Sequence, residues 1–176
     1  MSIYDDAMYK YLTTPDNYKA AKEVSGLISK VDERLVTEFW AEVWQKLEVR
    51  LNDLKNDKAN IYVVKDEIIC KPNWDGVSIS CEIRPNDFDL GILIDPTKKN
   101  IAAARQLVEQ KDKVKLGLQS SSAAWPCWIT IPFITYGEYL NKLPNTRETK
   151  VSELVEIFSD YVKIASDVCD EIGKQT

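Results

Sequence analysis

The chain has 176 residues, no histidine and a net charge of −5 at pH 7. Its length and its 44% of apolar residues suit a single domain, residues 1–176, built around one core. The lack of histidine excludes serine–histidine and cysteine–histidine nucleophiles and zinc sites that need histidine ligands. The acidic balance disfavours general adhesion to nucleic acid or to an anionic membrane.

The cysteines and the N-terminal residues predict a cytoplasmic protein. Cys70, Cys81, Cys127 and Cys169 form no CxxC pair, which favours reduced, buried thiols over a metal site. A disulfide between Cys70 and Cys81 is the less favoured alternative. The first residues lack the basic and apolar regions of a signal peptide, and no apolar run approaches the roughly 20 residues of a membrane span. We expect no cofactor, no metal and no membrane contact.

Two helices are predicted in the first third of the chain. Residues 1–13 show no clear period, but Thr14 as a cap and Pro15 in the first turn predict a helix to about Ser29. A longer helix is predicted over 32–57, because apolar residues recur there at every fourth position. These residues are Leu35, Phe39, Val43, Leu47 and Leu51.

The period then changes from helical to strand-like. Residues 61–64 and 68–70 are rich in β-forming residues and predict two short strands. Apolar and polar residues alternate on both sides of a turn at Pro85, which predicts a hairpin over 77–95 with one buried and one exposed face. Gly91, inside the second strand of this hairpin, indicates a bulge or close packing.

The chain after the hairpin continues to alternate between helix and strand. A helix is predicted over 98–112, and alternating apolar residues predict a further strand over 114–118. The segment 125–133 is predicted to be extended, and its two prolines place it at a sheet edge or outside the sheet.

A long C-terminal helix completes the predicted elements. Asn145 is its predicted cap, with Glu148 three positions later, and Gly173 ends it. Its apolar stripe over 151–172 is predicted to pack on the sheet or on the 32–57 helix. The alternative is an intermolecular coiled coil, and hence a homo-oligomer. The whole pattern predicts an α+β fold: a mostly antiparallel sheet of about four to five strands, N-terminal helices, one inserted helix and a long C-terminal helix.

One group of residues fits metal-dependent chemistry. Nucleases of the PD-(D/E)XK type hold Mg²⁺ between an acid at the end of one strand and an acid-x-lysine on the next. Here Asp66 or Asp75 supplies the first acid, and Glu82 with Arg84 supplies the second pattern. Arg84 stands where a lysine is wanted, and arginine is a poor partner for activating water because it stays protonated. The simpler interpretation places Glu82 and Arg84 on the solvent face of a strand, so we expect no catalytic residue.

Two further groups of residues are candidate binding sites. The segment 98–118 has six basic residues against two acidic ones, and it suits contact with phosphate or an acidic protein, or simply a solvated helix face, which is favoured. Trp125 and Trp128, held by Pro126, suit a stacking platform or a protein-binding anchor, or they cap the core. The basic residues are Lys98, Lys99, Arg105, Lys111, Lys113 and Lys115.

A resemblance to a known family rests on the stretch from Glu38-Phe39-Trp40 to Trp125-Pro126-Cys127-Trp128, about 90 residues. This stretch is similar to the accessory domain appended to some bacterial PD-(D/E)XK nuclease-like proteins, in which a Phe-Trp helix precedes a compact sheet. The resemblance implies a stand-alone recognition or regulatory module of a bacterial defence or mobile-element system. It carries over no catalytic residue, because none is matched.

The sequence therefore predicts a non-enzymatic, cytoplasmic module that binds another protein. The expected contact surfaces are the aromatic segment 125–128 and the exposed part of the terminal helix. The alternative is a nucleic-acid-binding or Mg²⁺-dependent nuclease-like protein that uses Glu82, Arg84 and the basic residues of 98–115.

Overall fold

The computed structural model describes residues 3–53, 62–65, 67–118, 122–133 and 147–174. Within these ranges the protein has the predicted α+β fold, in which helices pack on one face of a five-stranded antiparallel sheet. The strands lie side by side in chain order. The elements are α1 (Ile3–Leu12), α2 (Pro15–Asp53), β1 (Val63–Lys65), β2 (Ile68–Cys70), β3 (Val77–Ile83), β4 (Asp87–Ile94), α3 (Ile101–Leu116), β5 (Cys127–Pro132) and α4 (Arg147–Lys174).

The N-terminal helices differ from those predicted. Helix α2 is one continuous helix of 39 residues, whereas the apolar spacing predicts two helices that meet near Lys30. The prediction of two helices is wrong because no glycine or proline interrupts the chain between Ser29 and Asp32, so the backbone hydrogen bonds continue through the change in spacing. Helix α1 was not predicted, because its exposed apolar residues mark no single face.

The strand predicted over 114–118 is wrong. Helix α3 kinks at Asp112, where φ is −148° and ψ is 77°, and then continues to Leu116. Leu116 is fully buried, while Val114 is 82% exposed. Gly117 ends the helix in the left-handed conformation, with φ of 70°. Leu118 joins the sheet through a single bridge to β5. The alternation of Val114, Leu116 and Leu118 is typical of a strand, but in the helix Val114 and Leu116 lie on opposite sides and only Leu116 is buried.

The hairpin predicted over 77–95 is confirmed. Strands β3 and β4 pair antiparallel, with Ile79 opposite Ile92, and β5 follows β4 as the last strand in the sheet order. Alternate side chains point to opposite faces of the sheet. One set is buried under the helices, and the other set lies on what we call the outer face. The buried set is Val77, Ile79, Cys81, Phe88, Leu90, Ile92, Ile94 and Cys127.

Helix α4 lies at the centre of the helical layer. It packs between α2 and α3 and against β3 and β4. The apolar stripe over 151–172 is therefore covered within the chain, as the favoured interpretation predicts, and it offers no surface to an intermolecular coiled coil. The predicted cap Asn145 lies outside the described residues. The stripe consists of Val151, Val155, Phe158, Val162, Ala165, Cys169 and Ile172, all buried.

An aromatic cluster joins α2, α4 and the sheet. The ring of Trp40 on α2 packs edge-on against Phe88 on β4 and Phe158 on α4, with centroids 5.9 and 6.5 Å apart. Phe88 and Phe158 stack on each other at 5.3 Å. Trp44 packs edge-on against Phe158 at 4.9 Å. Such pairs add about 0.5–1.5 kcal/mol each beyond the burial of their area, so the cluster fixes the helices in relation to the sheet.

The state of the cysteines and the character of the helices are relevant to the predicted cytoplasmic location. All four cysteines are free, and Cys81, Cys127 and Cys169 are buried, while Cys70 is half-buried. Burial raises the pKa of the Cys127 thiol to about 11, so this group is inert as a nucleophile at neutral pH. Among the described residues, no helix combines the length and apolar character that a membrane span requires.

A buried lysine connects the β2–β3 turn to α4. Lys71 is 3% exposed, and its Nζ lies 5.0 Å from the ring centroid of Tyr62 and 4.9 Å from that of Trp74. The same Nζ lies 3.4 Å from both carboxylate oxygens of Asp170 on α4. Trp74 donates its indole N–H to Asp170 at 2.6 Å. The cation is thus enclosed by two ring faces and one carboxylate, which compensate for its lost hydration.

The state of the Asp170 carboxyl makes the stability of the fold depend on pH. Burial by itself raises the pKa of Asp170, but the hydrogen bond from Trp74 and the charge of Lys71 outweigh burial, and the pKa lies below its usual value. A lowered pKa in the folded state stabilises the fold at pH values above the unfolded-state pKa of about 3.9. This stabilisation is lost as pH falls through the folded-state pKa.

We predict that Asp170→Asn lowers the free energy of unfolding by about 2–3 kcal/mol at neutral pH, because the buried Lys71 then lacks its counter-charge. The difference from the wild type should shrink as pH falls below the unfolded-state pKa of about 3.9, and it should vanish as pH passes through the lower folded-state pKa of Asp170. Urea unfolding monitored by circular dichroism at several pH values measures the loss of stability and its dependence on pH. Asp160→Asn, which removes an exposed carboxylate paired with Lys163, is the control and should change stability by less than about 0.5 kcal/mol. A difference at Asp170 that is independent of pH would contradict the charge argument.

Candidate binding site

Trp128 lies on the outer face of the sheet, where it fills the space above a glycine. Its neighbours Cys127 and Ile129 turn toward the helices, so its own side chain points the other way. Trp128 pairs with Gly91 on β4, and Gly91 pairs with Ser80 on β3. A Cβ at Gly91 would lie 2.6 Å from the Cβ of Trp128, so only glycine leaves room for this strand pairing. Of the two alternatives predicted for Gly91, close packing is confirmed.

Trp125 is held beside Trp128 by a compact loop. The Ser122 hydroxyl accepts hydrogen bonds from the backbone N–H groups of Ala124 and Trp125, at 3.2 and 3.0 Å. Arg105 on α3 donates to the Ser122 carbonyl, and Ile94 on β4 donates its N–H to Ala124 at 2.8 Å. The loop is therefore attached to both a helix and a strand. Trp125 and Trp128 are both half-buried, so each ring keeps a part of its surface exposed.

The two tryptophans form one wall of a cavity of about 140 Å³, which we call the tryptophan cleft. Small-molecule sites usually have volumes of roughly 300–1,000 Å³, so this cleft fits one side chain and not a cofactor or a metabolite of ordinary size. The sequence indicated the two tryptophans as a candidate site, but it did not connect them with the acidic residues across the cleft. The lining residues are Glu82, Asp89, Ser122, Trp125 and Trp128.

The two carboxylates of the cleft differ in their electrostatic state. Asp89 accepts a hydrogen bond from Arg84 at 2.7 Å and one from Thr130 at 2.5 Å. Burial by itself raises the pKa of Asp89, but the bonds from Arg84 and Thr130 outweigh it, and the pKa lies below its usual value. Glu82 lies directly opposite Asp89 and is exposed, and its carboxylate makes no ion pair with any described residue. Glu82 therefore supplies the cleft with a negative charge that no described residue compensates by an ion pair.

The residues of the predicted nuclease pattern do not meet at one place. Asp75 precedes β3 and pairs with Lys98 at 2.7 Å, whereas Glu82 lies near the other end of β3, roughly 15 Å or more along the strand. Arg84 binds Asp87 at 2.6 Å in addition to Asp89, and Asp66 lies outside the described residues. Within the part of the chain that the structure describes, no three potential ligands are grouped to hold a metal ion.

The basic side chains of 98–115 all have partners. The pairs made with carboxylates join Lys98 to Asp75 (2.7 Å), Lys111 to Glu171 (3.0 Å), Lys113 to Glu109 (3.6 Å) and Lys115 to Asp112 (3.3 Å).

The other two basic side chains bind backbone carbonyls and are structural. Lys99 is buried and donates to the Gly173 carbonyl at 2.9 Å, near the C-terminal end of α4, where a cation is favourable. Arg105 donates to the Ser122 carbonyl. Four of the six basic side chains are thus exposed and paired with carboxylates, while Lys99 and Arg105 bind backbone carbonyls.

Comparison of the chain with protein-family models, with curated proteins and with solved structures found no match. The resemblance to the accessory domain of nuclease-like proteins therefore stays a prediction.

We predict that Gly91→Ala destabilises the fold by about 1–3 kcal/mol, because the added methyl group meets Trp128 and the Cys127 carbonyl. Trp128 should shift out of the cleft, which tryptophan fluorescence and the indole N–H signals in NMR would report. Gly26→Ala is the matched control: no atom lies within 4 Å of its added Cβ, and alanine should stabilise α2 by about 0.5–1 kcal/mol. Equal effects at the two glycines would show that Trp128 does not depend on Gly91.

Proposed function

We propose that the protein is a non-enzymatic binding module that regulates a partner protein in the cytoplasm, and that it anchors a basic side chain of this partner in the tryptophan cleft. The observation that carries the proposal is a cleft lined by two half-buried indole rings and by Glu82, whose carboxylate makes no ion pair with any described residue. The free cysteines support the cytoplasmic location, because disulfides are rare there.

The chemistry of the cleft favours a cation over other ligands. An indole face attracts a lysine or arginine head group through its quadrupole, at roughly 0.5–2 kcal/mol. Glu82 adds a carboxylate that no described residue engages in an ion pair, while Asp89 is already bound by Arg84. An anionic side chain would be repelled by Glu82. A purely apolar side chain would remove water from the Glu82 carboxylate without offering it a partner.

The size of the cleft and the tryptophan content favour a protein as the ligand. A space of about 140 Å³ holds one side chain, so most of the binding area must come from the surrounding surface. Partly exposed tryptophans are frequent anchors in protein interfaces. The resemblance to the accessory domain of PD-(D/E)XK nuclease-like proteins implies a recognition or regulatory module of a bacterial defence or mobile-element system, and this implication agrees with the proposed role.

A peptide selection tests the proposal, because it does not require the partner to be identified first. A random peptide library is displayed and selected on the purified protein, and the enriched peptides are measured by isothermal titration calorimetry. We expect the enriched peptides to share a lysine or arginine and to lose affinity when it is replaced by norleucine. We expect Trp128→Ala to weaken binding by about 30-fold or more, as for an aromatic anchor.

Two further variants make the selection decisive. Trp128→Ala is first checked for folding. Glu82→Lys, at an exposed position, should abolish binding by repulsion even if Trp128→Ala unfolds the domain. Glu33→Gln, which removes an exposed carboxylate on α2, is the control and should bind like the wild type. No enrichment, enriched peptides without a common basic residue, or full binding by Glu82→Lys would each contradict the proposal.

The alternative of a nucleic-acid-binding or nuclease-like protein has less support. The basic residues of 98–115 are paired, and Arg84 is bound to Asp87 and Asp89. Binding to DNA or RNA that falls steeply with salt, or cleavage that requires Mg²⁺, would favour this alternative over the proposed function.

A further inference from the structure

The first part of α2 carries an apolar stripe that the described residues leave uncovered. Val24, Leu27, Ile28 and Val31 are each 54–61% exposed, and no α2 residue before Phe39 is buried. From Pro15 to Leu35 the helix spans roughly 30 Å. We call this part, together with α1, the arm.

The spacing of apolar residues changes where the arm meets the domain. On the arm the apolar positions are alternately three and four residues apart, which is the heptad spacing of a coiled-coil seam. Past Leu35 they are four apart, and these residues are buried against α4 and the sheet. The opposite side of the arm is polar. The seam consists of Ala21, Val24, Ile28, Val31 and Leu35, and the polar side of Lys22, Glu23, Gly26, Ser29, Lys30 and Glu33.

The uncovered apolar area has the size of a dimer interface. Monomeric proteins rarely expose a patch larger than roughly 300–600 Å², while one side of a standard interface buries roughly 800 Å². Helix α1 and the start of α2 carry further exposed apolar side chains. With Met8, Tyr9, Tyr11 and Tyr18, each 59–68% exposed, the arm presents apolar surface on the order of 1,000 Å².

We propose that a second copy of this chain covers the arm, so that the protein is a dimer through an antiparallel pair of α2 arms. A stripe of heptad spacing is complementary to another stripe of the same spacing. An antiparallel pair sets Leu27 beside Leu27 of the second copy and Tyr18 near Asp32 of the second copy, where the hydroxyl can donate to the carboxylate. A parallel pair would set Leu27 against Asp32. The helix dipoles also favour the antiparallel pair.

The length of the arm fits this arrangement. When Val24 packs against Ile28 of the second copy, Thr14 lies opposite Glu38 of that copy. The break between α1 and α2 at Thr13 and Thr14 then falls where the domain of the second copy begins. Helix α1 is thereby placed against that domain, which gives its exposed aromatic side chains a surface to contact.

The mass of the protein in solution tests the proposal. Analytical ultracentrifugation at micromolar concentrations should give twice the chain mass of 20.1 kDa. Ile28→Glu places a charge in the seam and should raise the dimer Kd by about 100-fold or more, while the circular dichroism spectrum at room temperature shows that the domain stays folded. Ser29→Glu, on the polar side of the arm, is the matched control and should remain a dimer. A wild-type monomer, or a dimer that Ile28→Glu does not weaken, would overturn the proposal.

A cross-link tests the orientation. Ser25 lies beside Ser25 of the second copy only in the antiparallel pair, so Ser25→Cys in a Cys70→Ser background should form a disulfide-linked dimer under mild oxidation. Ser29→Cys in the same background, on the polar side, should not. A dimer in which Ser25→Cys fails to cross-link would overturn the antiparallel arrangement. None of these variants changes a residue that lines the tryptophan cleft. The test of the dimer and the test of the proposed function therefore have independent outcomes.

Discussion

The packing of Trp40 against Phe88 and Phe158 is the contact on which the other parts of the structure depend. It brings α2, β4 and α4 together at one point, through edge-on rings about 6 Å apart. Because α4 is placed by this contact, its buried stripe can meet α3 on one side and α2 on the other. The position of α3 in turn fixes Arg105, which holds the loop of Trp125. The core and the cleft are thus parts of one chain of contacts.

The two faces of the sheet have opposite chemistry because side chains alternate along each strand. The inner face of β3 and β4 is wholly apolar and binds the helices. The outer face combines Glu82 with Asp89, two like charges that lie opposite each other, and such a pair is unfavourable unless it is compensated. Of these two carboxylates, Asp89 is bound by Arg84, which also binds Asp87. The charge of Glu82, in the same cleft as Trp128, is what distinguishes this face from an ordinary solvated surface.

The sequence predicted the features that depend on local period and missed those that depend on distant partners. The hairpin, the C-terminal helix and the fold class follow from alternation and apolar stripes. The continuity of α2 does not follow from them, because the apolar spacing changes where the packing of the helix changes and not where the helix ends. The enclosure of Lys71 by Tyr62, Trp74 and Asp170 has no sequence signal, since its members are up to 108 positions apart. In the cleft, Trp125 and Trp128 were predictable as a pair, but their proximity to Glu82 required the strand register.

The continuity of α2 has a consequence for the energetics of the arm. Starting a helix is the unfavourable step, because several residues must be ordered before the first hydrogen bond is gained. In this protein the helical turns between Phe39 and Leu51 are stabilised by packing in the core. They supply the helix nucleus, and further turns can then be added toward the N-terminus without a new nucleation step. The arm is therefore already helical before any partner arrives. Association then needs little further ordering of the backbone, which preserves more of the contact energy as affinity.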